Sequence, residues 1–184
     1  MLAENIIQQT YMESLEDGTS VADVLKVINE RFIAAKSDIE NYLTGLLVRT
    51  KENDDGTCTV TLANAGHPYP LMYFSDRNEV EEILPDVESP YTGPVGLSGF
   101  NVEYSEMDFT MKKGDVLLMY TDGLTETVNK EGMSFDIPRV IEVLKNKKEA
   151  GAQEIMQYLM DSISKFSTDT PRTDDVSVII LKRI

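Results

Sequence analysis

The chain has 184 residues, with 32 Asp and Glu against 17 Lys and Arg, for a formal net charge of −15 at pH 7. This length predicts a single domain over residues 1–184, and an apolar fraction of 41% is enough for a core, which excludes general disorder. The negative charge argues against a protein that binds nucleic acid or an anionic membrane surface, because both would repel it.

The chain has one cysteine, Cys58, and one histidine, His67. A single cysteine excludes an internal disulfide framework, and one residue of each kind cannot complete a zinc site. Any bound metal must then be held mainly by carboxylates, which favours Mg²⁺ or Mn²⁺. The sequence shows neither a secretory signal nor an apolar run long enough to cross a bilayer, so we expect a cytoplasmic protein with no membrane segment.

Two amphipathic helices are predicted at the start of the chain. The first ends at Asp17-Gly18, and the second begins at Ser20, with Asp23 in the capping position. We expect the apolar stripe of each helix to face the core. The first stripe consists of Leu2, Ala3, Ile6, Ile7, Tyr11 and Leu15, and the second of Val21, Val24, Leu25, Ile28 and Phe32.

Alternating and continuous apolar runs predict strands from residue 42 onwards. Residues 85–99, rich in proline and glycine, are predicted to be a loop. The apolar run 116–120 is predicted to be a central strand covered on both faces, and 176–181 a second buried strand. The other predicted strands are 42–48, 57–64, 71–74, 80–84 and 102–111.

Helical periodicity returns after residue 123, with apolar stripes over 137–144 and 152–163. Helices at both ends therefore flank a run of mostly hairpin-connected strands. This order predicts an α+β fold with an antiparallel sheet.

Two carboxylate positions adjoin the two most apolar strands. Asp122 follows 116–120, and Asp174-Asp175 precede 176–181. If these strands are antiparallel neighbours, the end of one lies beside the start of the other, which brings Asp122 and Asp174 to one rim. Carboxylates gathered there would repel one another unless a hard divalent cation lay between them, and Gly123 would let backbone approach a ligand closely. The alternative is ordinary turn chemistry at both positions.

Four blocks occur in order along the chain. They are Asn-Ala-Gly-His-Pro at 64–68, Pro-Val-Gly-Leu at 94–97, a block that runs from Gly-Asp at 114–115 to Thr-Asp-Gly-Leu-Thr-Glu at 121–126, and Asp-Asp-Val-Ser at 174–177. Together they resemble the serine/threonine phosphatase domain of the bacterial stage II sporulation protein E and RsbU type. That group belongs to the metal-dependent, PP2C-like phosphatases.

The resemblance implies a PP2C-like antiparallel β-sandwich flanked by helices (αββα type). It also implies two Mn²⁺ or Mg²⁺ ions that bridge a water, which attacks the phosphorus of phosphoserine or phosphothreonine, often on an anti-sigma-factor antagonist protein. By motif match Asp122 and Asp174 would be metal ligands, with Asp175 as the neighbouring candidate and Gly123 as adjoining backbone.

The sequence departs from the family in one respect. It contains no Asp-containing segment that ends in Gly-His-Gly, which in the family supplies the carboxylate shared by both ions. The chain would thus be about the C-terminal two-thirds of the family domain, as a fragment or as a natural truncation. We expect weak metal binding and little or no phosphatase activity. The alternative function is a non-catalytic module on a degenerate phosphatase fold, which binds a phosphoprotein or another partner protein.

His67 is the single imidazole and a candidate general acid, although a histidine in a tight turn often just bonds backbone. The missing N-terminal strands would leave sheet edges or an apolar face uncovered. We therefore expect self-association as a homo-oligomer, with the 1–16 helix moved or exchanged between chains.

Overall fold

A computed structural model describes residues 2–36, 41–85, 92–171 and 174–184. The chain divides into two compact units. The first unit comprises Met1–Glu52, Thr59–His67 and Pro85–Thr110, and the second comprises Asn53–Cys58, Pro68–Leu84 and Met111–Ile184. The expectation of one domain over 1–184 stays a prediction.

The first unit opens with two helices, α1 (Leu2–Asp17) and α2 (Val21–Ala35). The predicted cap is confirmed, because the Ser20 hydroxyl oxygen accepts the Asp23 backbone N–H at 3.0 Å and satisfies a donor at the helix start. All five residues of the predicted α2 stripe are buried. They form an apolar cluster with Ala63, Ala65 and Val95.

The predicted orientation of α1 is wrong in part. Ile7 and Tyr11 are 41% and 37% exposed, whereas Thr10 and Ser14 are buried. The Thr10 hydroxyl accepts the Arg31 guanidinium of α2 at 3.0 Å, and the Ser14 hydroxyl donates to the Tyr11 carbonyl at 2.7 Å. Because both hydroxyls are paired, their burial costs little, and the helix can present polar residues to its neighbour. The side chains of Leu2 and Leu15 lie outside the described part of the chain.

The first unit also holds a three-stranded sheet of order β1-β2-β5, made of β1 (Gly45–Glu52), β2 (Cys58–Ala65) and β5 (Glu106–Met111). The short connection between β1 and β2 requires antiparallel pairing of these neighbours. The buried strand expected at 42–48 instead begins at Gly45 and is half-buried to exposed. Leu43 forms an isolated β-bridge with Val95, which belongs to the predicted loop 85–99. Residues 86–91 of that predicted loop lie outside the described part of the chain.

The second unit has an antiparallel sheet of order β4-β3-β6-β7. Its members are β3 (Leu71–Phe74), β4 (Glu79–Glu82), β6 (Val116–Tyr120) and β7 (Val178–Lys182). Three helices belong to the same unit: α3 (Gly123–Glu126), which the sequence did not predict, α4 (Asp136–Asn146) and α5 (Ala152–Phe166). Buried side chains of the sheet pack with those of α4 and α5 in one core.

Strand β6 is central and almost fully buried, as predicted. Strand β7 contradicts the expectation of a buried strand, because Ile179 is 59% exposed while Val178 and Ile180 pack against the core. It is an edge strand of this sheet, and its residues other than Ile179 are only half-buried. Its apolar run therefore did not indicate cover on both faces.

The observed mixture of helices with antiparallel sheet confirms the predicted α+β class. No helix in the described part of the chain is long and apolar enough to cross a bilayer.

Candidate metal centre

The antiparallel pairing that was assumed for the two apolar strands is observed. Strands β6 and β7 are antiparallel neighbours, with Tyr120 opposite Val178. Beyond this pair, the Thr121 backbone N–H donates to the Ser177 carbonyl at 3.0 Å. The turn after β6, which carries Asp122, therefore lies beside the segment before β7, which carries Asp174 and Asp175.

The two segments are in direct backbone contact at Gly123. A Cβ atom built on Gly123 would lie 2.3 Å from the Asp175 carbonyl oxygen and 3.6 Å from the Asp174 carbonyl carbon. Real Cβ atoms essentially never approach other atoms below 3.0 Å, so only glycine fits here. The close approach that Gly123 allows is thus to the chain's own backbone.

Both carboxylates lie on the surface of the second unit. Asp122 caps α3, and its Oδ1 accepts the Gly123 N–H at 3.0 Å. Asp174 Oδ1 accepts the Asp175 N–H at 2.7 Å. Asp122, Asp174 and Asp175 are all exposed, so each negative charge is solvated, and their mutual repulsion is smaller than it would be in a buried cluster.

The ligand chemistry of this rim matches a hard divalent cation, because aspartate oxygens are the donors that Mg²⁺ and Mn²⁺ prefer. The number of ligands does not match a complete centre. Among the residues that the structure describes, no three His, Cys, Asp or Glu side chains are grouped so that they could hold a metal ion. Asp122 and Asp174 therefore provide at most part of a site.

Thr121 is a residue of this rim that sequence reasoning did not single out. Its hydroxyl donates to the Asp175 carbonyl at 3.1 Å and accepts the Ser177 N–H at 2.9 Å. The available signal was its position between the apolar run and Asp122, but that position does not reveal partners more than fifty residues away.

Tyr120, the last residue of β6, adjoins the same turn. Burial raises the pKa of its phenol to about 12, and the negative charges of Glu82 and Asp136 add to this effect. At neutral pH the side chain is a neutral hydroxyl that carries no charge toward the rim.

His67 lies in the first unit, in the turn after β2. Its backbone is fixed by Asn64, whose Oδ1 accepts the His67 N–H at 2.8 Å and whose Nδ2 donates to the His67 carbonyl at 2.9 Å. The ring Nδ1 lies 3.2 Å from the Thr44 hydroxyl. The ring thus contacts a side chain and the turn is held through the His67 backbone, and the catalytic role of His67 stays a prediction.

Comparison with known proteins connects this geometry to a family. The family model described as stage II sporulation protein E (SpoIIE) matches residues 3–184. The chain is also similar to phosphoserine phosphatase RsbU of Bacillus subtilis (strain 168), with 28% identity over 173 residues. That match includes 94% of this chain and 48% of RsbU, so the chain spans about half the length of this relative.

Solved structures share the fold at low sequence identity. The SiaA-PP2C domain of Pseudomonas aeruginosa superposes with a TM-score of 0.73 at 16% identity, over 99% of this chain and 68% of that one. The catalytic domain of the serine/threonine protein phosphatase PstP, in complex with 2 manganese ions, gives 0.62 at 16% identity, over 97% of this chain and 79% of that one. With its family model matched over nearly every residue and its fold shared with PP2C phosphatases, the chain belongs to the stage II sporulation protein E (SpoIIE) family.

Proposed function

We propose that this chain is a metal-dependent protein serine/threonine phosphatase domain of bacterial signalling. Its substrate class would be phosphoserine or phosphothreonine on a partner protein of the anti-sigma-factor antagonist type. The observation that supports the proposal is the β6–β7 rim, where the backbone of the turn that carries Asp122 contacts the segment that carries Asp174, in a chain of the SpoIIE family.

In this proposal Asp122 and Asp174 bind and orient Mn²⁺ or Mg²⁺, and Asp175 is the neighbouring candidate ligand. Such ions, when bound, supply Lewis acidity toward phosphoryl oxygens. The chain's own contribution is geometric. Gly123 lets the turn after β6 touch the segment before β7, so that one carboxylate from each segment could bind the same ion.

The same geometry supports the expectation of impaired activity. Among the described residues no three possible ligand side chains are grouped so that they could hold a metal ion, so the rim lacks the further ligands of a complete centre. We therefore propose that the chain binds divalent ions weakly and turns over little or no phosphate ester. A non-catalytic module that holds a phosphoprotein is the second candidate, and the incomplete ligand group is the observation that favours it.

The deciding assay measures hydrolysis of p-nitrophenyl phosphate with and without Mn²⁺, alongside Mn²⁺ binding by isothermal titration calorimetry. Asp122→Asn and Asp174→Asn are the test variants. Asp54→Asn is the matched control, because Asp54 is an exposed aspartate in the turn after β1. We expect weak Mn²⁺ binding that both test variants remove and the control retains.

Three outcomes separate the readings. Turnover that needs Mn²⁺ and vanishes in Asp122→Asn would support the phosphatase and overturn the claim of impairment. Weak metal binding without turnover agrees with the proposal as stated. Absence of metal binding, together with binding of a phosphoserine peptide, would establish the non-catalytic module.

We also propose self-association with a second copy of this chain, in the cytoplasm and without nucleic acid. An apolar groove of about 100 Å³ in the first unit includes Ile7 of α1 in its wall, and Tyr11 and Met12 of the same helix are exposed. Light scattering over a range of concentrations should show oligomers that Ile7→Glu weakens. A strict monomer at high concentration would contradict this.

A further inference from the structure

We propose that Thr121 is the positioning residue of the Asp122–Asp174 rim, and that its hydroxyl sets how the two carboxylates face a divalent cation. This inference rests on the proposed function, since it assigns a task toward the same metal. It concerns a residue that contacts neither substrate nor metal and acts through the backbone of the opposing segment.

The hydroxyl lies where regular strand pairing ends. The last pair is Tyr120–Val178, and one further backbone bond joins the Thr121 N–H to the Ser177 carbonyl. Past this point the Thr121 side chain, and not its backbone, makes the hydrogen bonds to the opposing segment. Oγ1 accepts the Ser177 N–H at 2.9 Å and donates to the Asp175 carbonyl at 3.1 Å. One side chain thus continues the connection between the strands to the residue that follows Asp174.

Both functions of the hydroxyl are used at once. A hydroxyl has one hydrogen to donate and lone pairs to accept, so the two bonds require no competing arrangement. The β-branched side chain restricts χ1, and this keeps Oγ1 between its two partners. Asp122 directly follows the anchored residue, and Asp174 directly precedes the anchored carbonyl.

The other side of the turn is held independently. The Thr127 hydroxyl donates to the Gly123 carbonyl at 2.6 Å, and the Thr125 hydroxyl donates to the Asp122 carbonyl at 3.1 Å. These bonds stabilise α3 from within and do not reach β7. Thr121 alone among these three hydroxyls ties the Asp122 side of the rim to the Asp174 side.

The test compares Thr121→Val, which has nearly the same shape and lacks the hydroxyl, with Thr121→Ser, which keeps it. Two-dimensional ¹H–¹⁵N NMR of the full chain reports hydrogen exchange of the Ser177 amide and, on titration with Mn²⁺, paramagnetic broadening of amides around Asp122 and Asp174. Asp122→Asn shows that the broadening arises at this rim.

We expect Thr121→Val to speed exchange of the Ser177 amide and to raise the Mn²⁺ concentration for half-broadening by about tenfold, as for partners that orient metal ligands. Thr121→Ser should stay within about twofold of the unmodified chain on both measures. Amides of β3 and β4, in the same unit, should keep their positions in all variants and so verify folding.

Faster exchange in Thr121→Val with an unchanged Mn²⁺ midpoint would overturn the inference, because the hydroxyl would then be structural only, while the proposed function would stand. Failure of Thr121→Ser to restore the midpoint would also overturn it. Absence of broadening at the rim of the unmodified chain would overturn the proposed metal site and, with it, this inference.

Discussion

Replacing Gly123 by alanine places a methyl group where the structure leaves no room. The new Cβ would lie 2.3 Å from the Asp175 carbonyl oxygen, and the shortest approach that Cβ atoms show is near 3.0 Å. The clashing atom belongs to the backbone and not to a flexible side chain, so a change of rotamer cannot relieve the clash. The segment before β7 must therefore move away from the turn after β6 by at least about 0.7 Å.

The cost follows from two opposing effects. Forcing an extra methyl group into a packed site costs about 1–3 kcal/mol. Alanine is a better helix former than glycine by up to about 1 kcal/mol, and Gly123 is the first residue of α3. We expect a net loss of about 1–2 kcal/mol in the free energy of unfolding, together with weaker Mn²⁺ binding, because the displacement separates Asp122 from Asp174.

Urea unfolding followed by far-UV circular dichroism measures the first effect, and calorimetric titration with Mn²⁺ measures the second. Gly45→Ala is the matched control, since no atom lies within 4 Å of a Cβ built there. It should leave the free energy of unfolding within about 0.5 kcal/mol of the original. A Gly123→Ala chain as stable as this control, with unchanged Mn²⁺ affinity, would refute the steric reasoning.

Three further outcomes follow from buried polar groups. Asp115 is 1% exposed and accepts hydrogen bonds from two backbone N–H groups and a serine hydroxyl. Asp115→Ala should therefore lower the free energy of unfolding, measured in urea, by about 2–6 kcal/mol, and Asp115→Asn should lower it by clearly less. Buried Asn29 accepts the Gly96 N–H at 2.7 Å, so Asn29→Ala should cost about 1–3 kcal/mol and speed exchange of that amide, while equal protection in both chains would speak against the bond. Burial raises the pKa of Tyr104 and Tyr120 to about 12. The folded chain therefore holds the two phenolic protons more tightly than the unfolded chain does. This contribution to the free energy of unfolding is complete below pH 10 and is lost as the pH rises to about 12. Absorbance at 295 nm should then show late tyrosine ionisation together with loss of circular dichroism, and a single ionisation near pH 10 with the fold intact would contradict it.

The rim could be predicted because its signals are local. The run 116–120 is apolar throughout, which predicts a covered strand, and the acidic residues next to it and before 176–181 were therefore expected near strand ends. Antiparallel pairing of the two strands was the one further assumption, and the observed register satisfies it.

The features that sequence reasoning missed depend on distant partners. The buried face of α1 was misassigned because burial of Thr10 is acceptable only with the Arg31 guanidinium of another helix beside it. The apolar residues of β7 suggested two covered faces, yet Ile179 is 59% exposed on this edge strand, because the cover over each face of a sheet comes from distant elements that the run itself does not reveal. The role of the Thr121 hydroxyl was missed for the same reason, since its partners follow by 54 and 56 positions.

The pairing of β6 with β7 also determines when the rim can form during biosynthesis. Thr121 and Ser177 are 56 positions apart. The length-dependent part of the entropic free-energy cost of closing such a loop is about 3.5 kcal/mol. When α3 has left the ribosome and β7 has not, the nascent chain has the Asp122 turn but not yet the segment with Asp174 and Asp175 that contacts it. Pairing over such a sequence separation is slow, because the loop-closure entropy is lost before the contacts are gained. The Asp122 turn and the Asp174 segment can therefore come together only after both have left the ribosome, when β7 pairs with β6.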